Sequence, residues 1–297
     1  MGYGRWSDDS FRSYSKARGR DVDASGSIRG DYSNQSIFRS TDVDPALNPK
    51  NVVRQCCDSE EHPNVVPVIL ALDVTGSMGQ AAVEVAKQLN VVMTSLYEDV
   101  EDVQFMIMGI GDMACDVSPA QASQFESDIR IADQLEKVYF EFGGGGNGFE
   151  SYSLAWYFGL HHTDIDAINK RGKKGIIITM GDEPLNPYLP KRGRRASFES
   201  VFGDTLEEDV DTISLYEAAS KNFEMYHIHV DHNVSRAYSF EATSPSFIKV
   251  MGRERVVQAT LDNIAEKIVE IVKNNANKDA GISSITGAHK GEGGISW

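Results

Sequence analysis

Asp73, Thr75 and Ser77 stand at alternate positions in Asp-Val-Thr-Gly-Ser, directly after the apolar run Val65-Val66-Pro67-Val68-Ile69-Leu70-Ala71-Leu72. One carboxylate and two hydroxyls at i, i+2 and i+4 make a hard oxygen set, suited to Mg²⁺ or Mn²⁺ and not to zinc. The apolar run is short and uncharged, which predicts a strand covered on both faces, as in a parallel sheet. Beyond the motif, Ala82, Val85, Leu89, Val92 and Leu96 recur at three- and four-residue steps and predict an amphipathic helix through Tyr97. The motif is thus expected on a loop between a strand's carboxyl end and a helix amino terminus, where open α/β sheets bind ligands. A competing role for the same residues is helix capping. Thr75 or Ser77 would then accept from free backbone N–H groups, and Asp73 would sit near the positive helix end.

This arrangement resembles the von Willebrand factor A (vWA) family, whose metal-ion-dependent adhesion site (MIDAS) carries Asp-x-Ser-x-Ser on the loop after the first strand. Here the pattern is Asp73-x-Thr75-x-Ser77, and threonine keeps the hydroxyl. The resemblance covers roughly residues 64–274 and implies an α/β, Rossmann-like vWA domain: a central, mostly parallel sheet with one short antiparallel edge strand and helices on both faces. It also implies a metal completed by a threonine on a second loop and an aspartate on a third, with the last position open to an acidic residue of a protein partner. The second loop here is Gly143-Gly144-Gly145-Gly146-Asn147-Gly148-Phe149-Glu150. The family threonine falls on Gly146, which has no ligand atom, and Asn147 beside it offers an amide oxygen, directly or through water. The third loop is Thr179-Met180-Gly181-Asp182-Glu183-Pro184. An ungapped register puts Met180 at the acidic position; a shift along the loop brings in Asp182, with Glu183 in reserve. The expected metal residues are Asp73, Thr75, Ser77, Asn147 and Asp182.

The elements needed to position these loops alternate along the chain, which argues for a parallel sheet with helices on both faces. Val103 to Ile110 and Gly175 to Thr179 are apolar strands, Phe223 to Val230 another, and Arg255 to Gln258 a short last one. Ser123 to Glu126 is expected as the edge strand. Ile129 to Val138, about Glu150 to Leu160, and Leu261 to Val272 are expected helices. Residues 1–60 are rich in Ser, Asp, Arg and Gly without sustained apolar period and read as an extended or disordered arm. Residues 61–275 form the expected vWA domain, and residues 276–297, polar and glycine-rich and ending in Trp297, a flexible tail. Within the arm, Ser10-Phe11-Arg12-Ser13 and Ser36-Ile37-Phe38-Arg39-Ser40 resemble one another, as a duplicated docking peptide or as chance similarity. Arg29-Gly30-Asp31 matches a short integrin-binding tripeptide, treated as accidental.

The net charge of −15 over 297 residues argues against a general nucleic-acid coat. No run of about 18 apolar residues occurs to span a membrane, and the amino terminus lacks the apolar core of a secretory signal. Cys56, Cys57 and Cys115 fit neither a disulfide framework nor a metal knuckle, so the expected compartment is the reducing cytoplasm. His227 and His229 would share one face of a strand. With Asp231 and His232 they evoke a metal cluster, but nothing supplies the remaining ligands at zinc spacing, and a structural role is favoured for each. Lys191-Arg192-Gly193-Arg194-Arg195-Ala196-Ser197 is the one dense basic stretch, able to steer an acidic partner or RNA.

Three functions follow as expectations. The first is a non-enzymatic interaction module in which the cation captures an Asp or Glu of a protein partner; the resemblance places intracellular vWA proteins beside AAA+ ATPases or in larger assemblies. The second is a scaffold with a degenerate metal site that binds through its amino-terminal arm. The third is an aspartate-nucleophile phosphatase, since Asp73-x-Thr75-Gly76 also resembles haloacid-dehalogenase-like enzymes and P-type ATPases. Lys173 or Lys174 would steady the phosphorylated aspartate there and Asp182 would hold Mg²⁺. Against it, no Asp follows two residues after Asp73.

Overall fold

The computed structural model describes residues 4–100, 102–142, 147–232 and 236–279. Six strands form the central sheet: β1 (Val66–Asp73), β2 (Val103–Ile110), β3 (Ala120–Ala122), β4 (Gly175–Gly181), β5 (Phe223–Asp231) and β6 (Val256–Thr260). Their spatial order is β6-β5-β4-β1-β2-β3, parallel throughout except for the antiparallel β2–β3 edge pair. The main helices are α1 (Asp8–Ala17), α2 (Gly79–Asp99), α3 (Arg130–Glu136), α4 (Ser153–His161), α5 (Thr212–Ala219), α6 (Phe240–Met251) and α7 (Ile264–Asp279).

Alternation along each strand divides the core in two. Val68, Leu70 and Leu72 of β1 face a core built with α2, α3 and α7. Ile69 and Ala71 face the other, built with α4, α5 and α6. A strand apolar at every position is therefore explained by burial on both sides. The chain leaves β1 toward β2 on one side and returns to β4 on the other, so the strand order reverses at β1. The crevice at such a reversal, outside the carboxyl ends, is where open α/β sheets take ligands.

The amino-terminal segment corrects the expectation of an unfolded arm over residues 1–60. From residue 4 onward it is a strap laid across α2 and α3, with Trp6, Phe11, Ile28, Ile37, Phe38 and Leu47 all buried. Trp6 Nε1 donates to Asn90 Oδ1 at 2.8 Å, and Asn90 Nδ2 donates to Asp8 Oδ1 at 2.7 Å. Ile28 N donates to Lys87 O at 3.0 Å, and buried Arg20 pairs with Glu136 at 2.6 Å. The two similar peptides are core anchors, since Phe11, Ile37 and Phe38 are each less than 5% exposed. A strap held by single, irregularly spaced apolar anchors has no period to read, and its order comes from the surface it covers.

Smaller corrections have local causes. The edge strand lies at Ala120–Ala122, pairing with Met108–Ile110, while Glu126 makes only an isolated bridge to Phe105. Glu150 bridges to Leu185, so the helix expected from Glu150 begins at Ser153. The last helix passes residue 275 to reach Asp279, and residues 280–297, including Trp297, lie outside the described residues. Among the described residues, no helix is long and apolar enough to cross a membrane.

Candidate metal centre

All four loops of the site leave the same edge of the sheet, because β1, β2, β4 and β5 are parallel. Asp73 closes β1 on the Ile69–Ala71 side, the face covered by α4, and there Tyr152, just before α4, donates from its hydroxyl to Asp73 Oδ2 at 2.8 Å. Asp73 Oδ1 accepts from Thr75 N at 2.8 Å and from Thr75 Oγ1 at 2.5 Å. Thr75 Oγ1 lies 3.4 Å from Ser77 Oγ, and Ser77 Oγ donates to Asp182 Oδ1 at 3.1 Å. A continuous oxygen chain therefore runs from Asp73 through Thr75 and Ser77 to Asp182, across the crevice between β1 and β4. The capping alternative has no support at the start of α2, whose N-cap is Met78 without a side-chain hydrogen bond.

Met180 is buried in the core, and Asp182, fully buried, is the residue presented to the motif. Gly181 is required by close approach: a Cβ there would overlap the Tyr152 hydroxyl and ring. Asn147 is exposed and turns elsewhere, its Oδ1 accepting from Phe149 N at 3.1 Å and its Nδ2 donating to Asp112 Oδ2 at 2.8 Å. Gly146, where the resemblance places the missing hydroxyl, lies outside the described residues. Asn147 is thus not joined to the Asp73–Asp182 oxygen chain by any of these hydrogen bonds.

Several acids at this edge escape sequence reasoning. Asp112 and Asp116, after β2, and Glu150, after the glycine run, are buried beside the motif. Burial and then the Asp182 charge push Asp73 up to about 7, against the hydrogen bonds from Thr75 and Tyr152. Burial and then the Asp182, Asp112 and Asp116 charges push Glu183 up to about 7 as well. The ion pairs at this edge, among the described residues, are His232–Asp182 at 2.8 Å, His229–Asp231 at 3.2 Å and Arg195–Glu141 at 3.8 Å. His232, raised by its hydrogen bond to Asp182, pairs with the acid presented to the motif. A divalent cation would offset the charge of carboxylates gathered this closely. Among the described residues, no group of three or more His, Cys, Asp or Glu side chains is placed to hold a metal ion. Asp73 and Asp182 with the hydroxyls of Thr75 and Ser77 would be the donors, a hard oxygen set of the kind that suits Mg²⁺ or Mn²⁺.

The other singled-out residues fall into structural places. His227 and His229 do share a face. His227 stacks on Phe247 with ring centroids 3.6 Å apart and meets Thr179 Oγ1 at 3.0 Å, and His229 Nδ1 meets Thr243 Oγ1 at 3.0 Å. Burial holds both below the usual histidine range. Lys173 and Lys174 precede β4 at the opposite edge of the sheet, where Lys174 pairs with Glu224 at 3.0 Å, remote from Asp73. Arg192 and Arg194, both exposed, line a groove of about 530 Å³ with Asn147, Phe149, Asn186 and Tyr188, and Arg195 next to them in sequence is exposed as well. Ser197, the last residue of that stretch, caps a short helix by accepting from Ser200 N at 3.2 Å.

No family model matches the sequence, and no curated protein is similar to it. Among solved structures, the pilus adhesin SpaC from Lactobacillus rhamnosus GG, in its open conformation, is similar with a TM-score of 0.50 at 13% identity. The match covers 77% of this chain and 31% of the adhesin, so the chain spans less than a third of that protein. The vWF domain of the type V pili tip protein Mfa5 from Porphyromonas gingivalis matches with a TM-score of 0.44 at 14% identity, over 78% of this chain and 98% of that domain. Proximal thread matrix protein 1 (PTMP1) from the mussel byssus, with a zinc-occupied MIDAS motif, matches with a TM-score of 0.42 at 9% identity, over 77% and 47%. Identities this low speak to fold alone. With its strand order, its antiparallel edge strand and helices on both faces, the chain has a vWA-like fold.

Proposed function

We propose that this chain is a metal-dependent protein-interaction module and not an enzyme. The observation that carries the reading is the oxygen chain Asp73–Thr75–Ser77–Asp182 across the strand-order reversal. Mg²⁺ or Mn²⁺ bound there would supply a positive charge to an acidic residue, Asp or Glu, of a protein partner. The chain's own residues set the geometry. Tyr152 fixes the Asp73 carboxylate, Ser77 and His232 fix Asp182, and the hydroxyls of Thr75 and Ser77 face the crevice from the loop before α2.

The rival readings lose their anchors. A phosphatase needs a lysine beside the phosphorylated aspartate, and the two candidate lysines sit at the other end of β4. A scaffold acting through a free arm needs that arm unpacked, whereas the strap is in the core. Arg192 and Arg194, exposed on the neighbouring groove, favour an acidic partner by charge complementarity. Neither an AAA+ ATPase nor RNA is favoured by any residue at the site. A reducing compartment is part of the reading, since no disulfide joins the three cysteines.

Calorimetric titration of Mn²⁺ into wild type and Asp73→Ala tests it. Wild type should bind one ion with Asp73→Ala silent, and a partner captured in Mg²⁺ should be released by EDTA. Identical titrations of the two proteins would sink the site.

A further inference from the structure

Arg192 and Arg194 stand at alternate positions of a turn that is tied down through its backbone. Arg192 and Ser197 form an isolated antiparallel bridge, and inside it Gly193 N donates to Ala196 O at 2.8 Å. Arg194 N donates to Ala114 O at 2.8 Å, which pins the turn to the loop after β2. Gly193 comes so close to that loop that a Cβ there would overlap Met113 O. The aromatic residues of the same groove are also held. Tyr188 lies in a short antiparallel ladder of Tyr188–Leu189 with Val210–Asp211, and Phe149 N donates to Asn147 Oδ1, whose Nδ2 is bonded to Asp112.

The turn is fixed, yet its guanidinium groups are unused. Neither the Arg192 nor the Arg194 side chain makes a hydrogen bond or ion pair among the described residues, whereas Arg195 beside them pairs with Glu141. No Asp or Glu is found among the described residues that line the groove. In a chain with 44 acidic against 29 basic residues, two arginines kept clear of acids in one groove mark a place for an outside anion. Phe149 and Tyr188, 37% and 47% exposed, add apolar surface that the fold leaves in water. Arginine and aromatic side chains are the groups enriched where protein surfaces meet, and a guanidinium donates to a carboxylate as a fork. The buried acids Asp112 and Asp116 lie on the loop to which the turn is pinned. They oppose a long polyphosphate backbone, while a peptide can alternate its charges with apolar side chains.

We propose that this groove is a second docking site, independent of any metal, for an extended acidic segment of a protein partner. Carboxylates of the segment pair with Arg192 and Arg194, and its intervening apolar or aromatic side chains lie against Phe149 and Tyr188. The proposal rests on the reading of an acidic protein partner given above, but not on the cation.

The test is fluorescence anisotropy of a labelled decapeptide of alternating glutamate and tyrosine, titrated with the full chain in EDTA. Wild type is compared with the double variant Arg192→Gln/Arg194→Gln, whose changes are at exposed positions. The expected result is binding to wild type that weakens as salt screens the charges, and about tenfold weaker binding or more by the double variant. A double variant within about twofold of wild type, no binding by wild type, or equal binding of a glutamine–tyrosine decapeptide would overturn the proposal. So would tighter binding of a labelled oligothymidylate, or a wild-type dimer in sedimentation that the double variant abolishes, since these give the groove to a nucleic acid or to a second copy. No divalent ion is free in EDTA, so each of these results stands whether or not the calorimetric titration finds Mn²⁺ bound.

Discussion

Asp116 shows how single acids at this edge set stability. Burial, and then the Glu141 and Asp112 charges, push it up to about 6, although its carboxylate accepts from Asp112 N at 2.7 Å. Its folded value lies above the unfolded one, so the neutral form is favoured by folding. Its contribution is fully present below about pH 4 and is lost as pH rises through about 6. For a shift of this size the loss is on the order of 2–3 kcal/mol. Urea midpoints of wild type and Asp116→Asn in EDTA should therefore diverge between pH 4 and pH 7, with the asparagine variant the more stable at neutral pH. Parallel midpoints across that range would show that Asp116 is not under this strain.

At the scale of elements, the strap and α2 act as one unit. Phe11 on α1 is 1% exposed and packs on Trp6 with centroids 5.6 Å apart, while Asn34 Nδ2 donates at 3.0 Å to Gly79 O at the start of α2. The strap thus reaches the base of the loop that carries Thr75 and Ser77. Phe11→Ala should cost about 3–5 kcal/mol in chemical denaturation, the range for emptying a buried aromatic site. A loss under 1 kcal/mol would mean that the strap is dispensable to the fold. At the other boundary of the site, Gly181→Ala must move Tyr152 off Asp73. It should weaken Mn²⁺ binding even though alanine changes no ligand.

The whole molecule carries a charge of −15, with its exposed arginine cluster beside the acidic crevice. This distribution predicts where a protease enters. Trypsin should cut after Arg192, Arg194 or Arg195, which are exposed, before it cuts after Arg20, which is 3% exposed and paired with Glu136. Mass spectrometry of early fragments decides it. Early cleavage after Arg12, Arg18 or Arg20, with the Arg192–Arg195 loop intact, would contradict this description of the amino-terminal segment.

Local pattern alone determined the parallel α/β architecture, because strands buried on both faces read as unbroken apolar runs such as Val103 to Ile110. It also placed Asp73, Thr75 and Ser77 after the first strand and ahead of a helix with an apolar stripe, and it paired His227 with His229 on one face. Tertiary structure decided what had no local period. The choice of Asp182 over Met180 depended on how the chain turns after β4. The orientation of Asn147 toward Asp112 depended on a loop from another strand. The strap folds because α2 offers Asn90 and Lys87 as partners far along the chain, and no stretch of residues 4–47 could announce that by itself. Glu150 is the clearest case. One acid beyond a glycine run says little in sequence, and only the fold buries it among other acids and lifts its carboxyl well above the usual range.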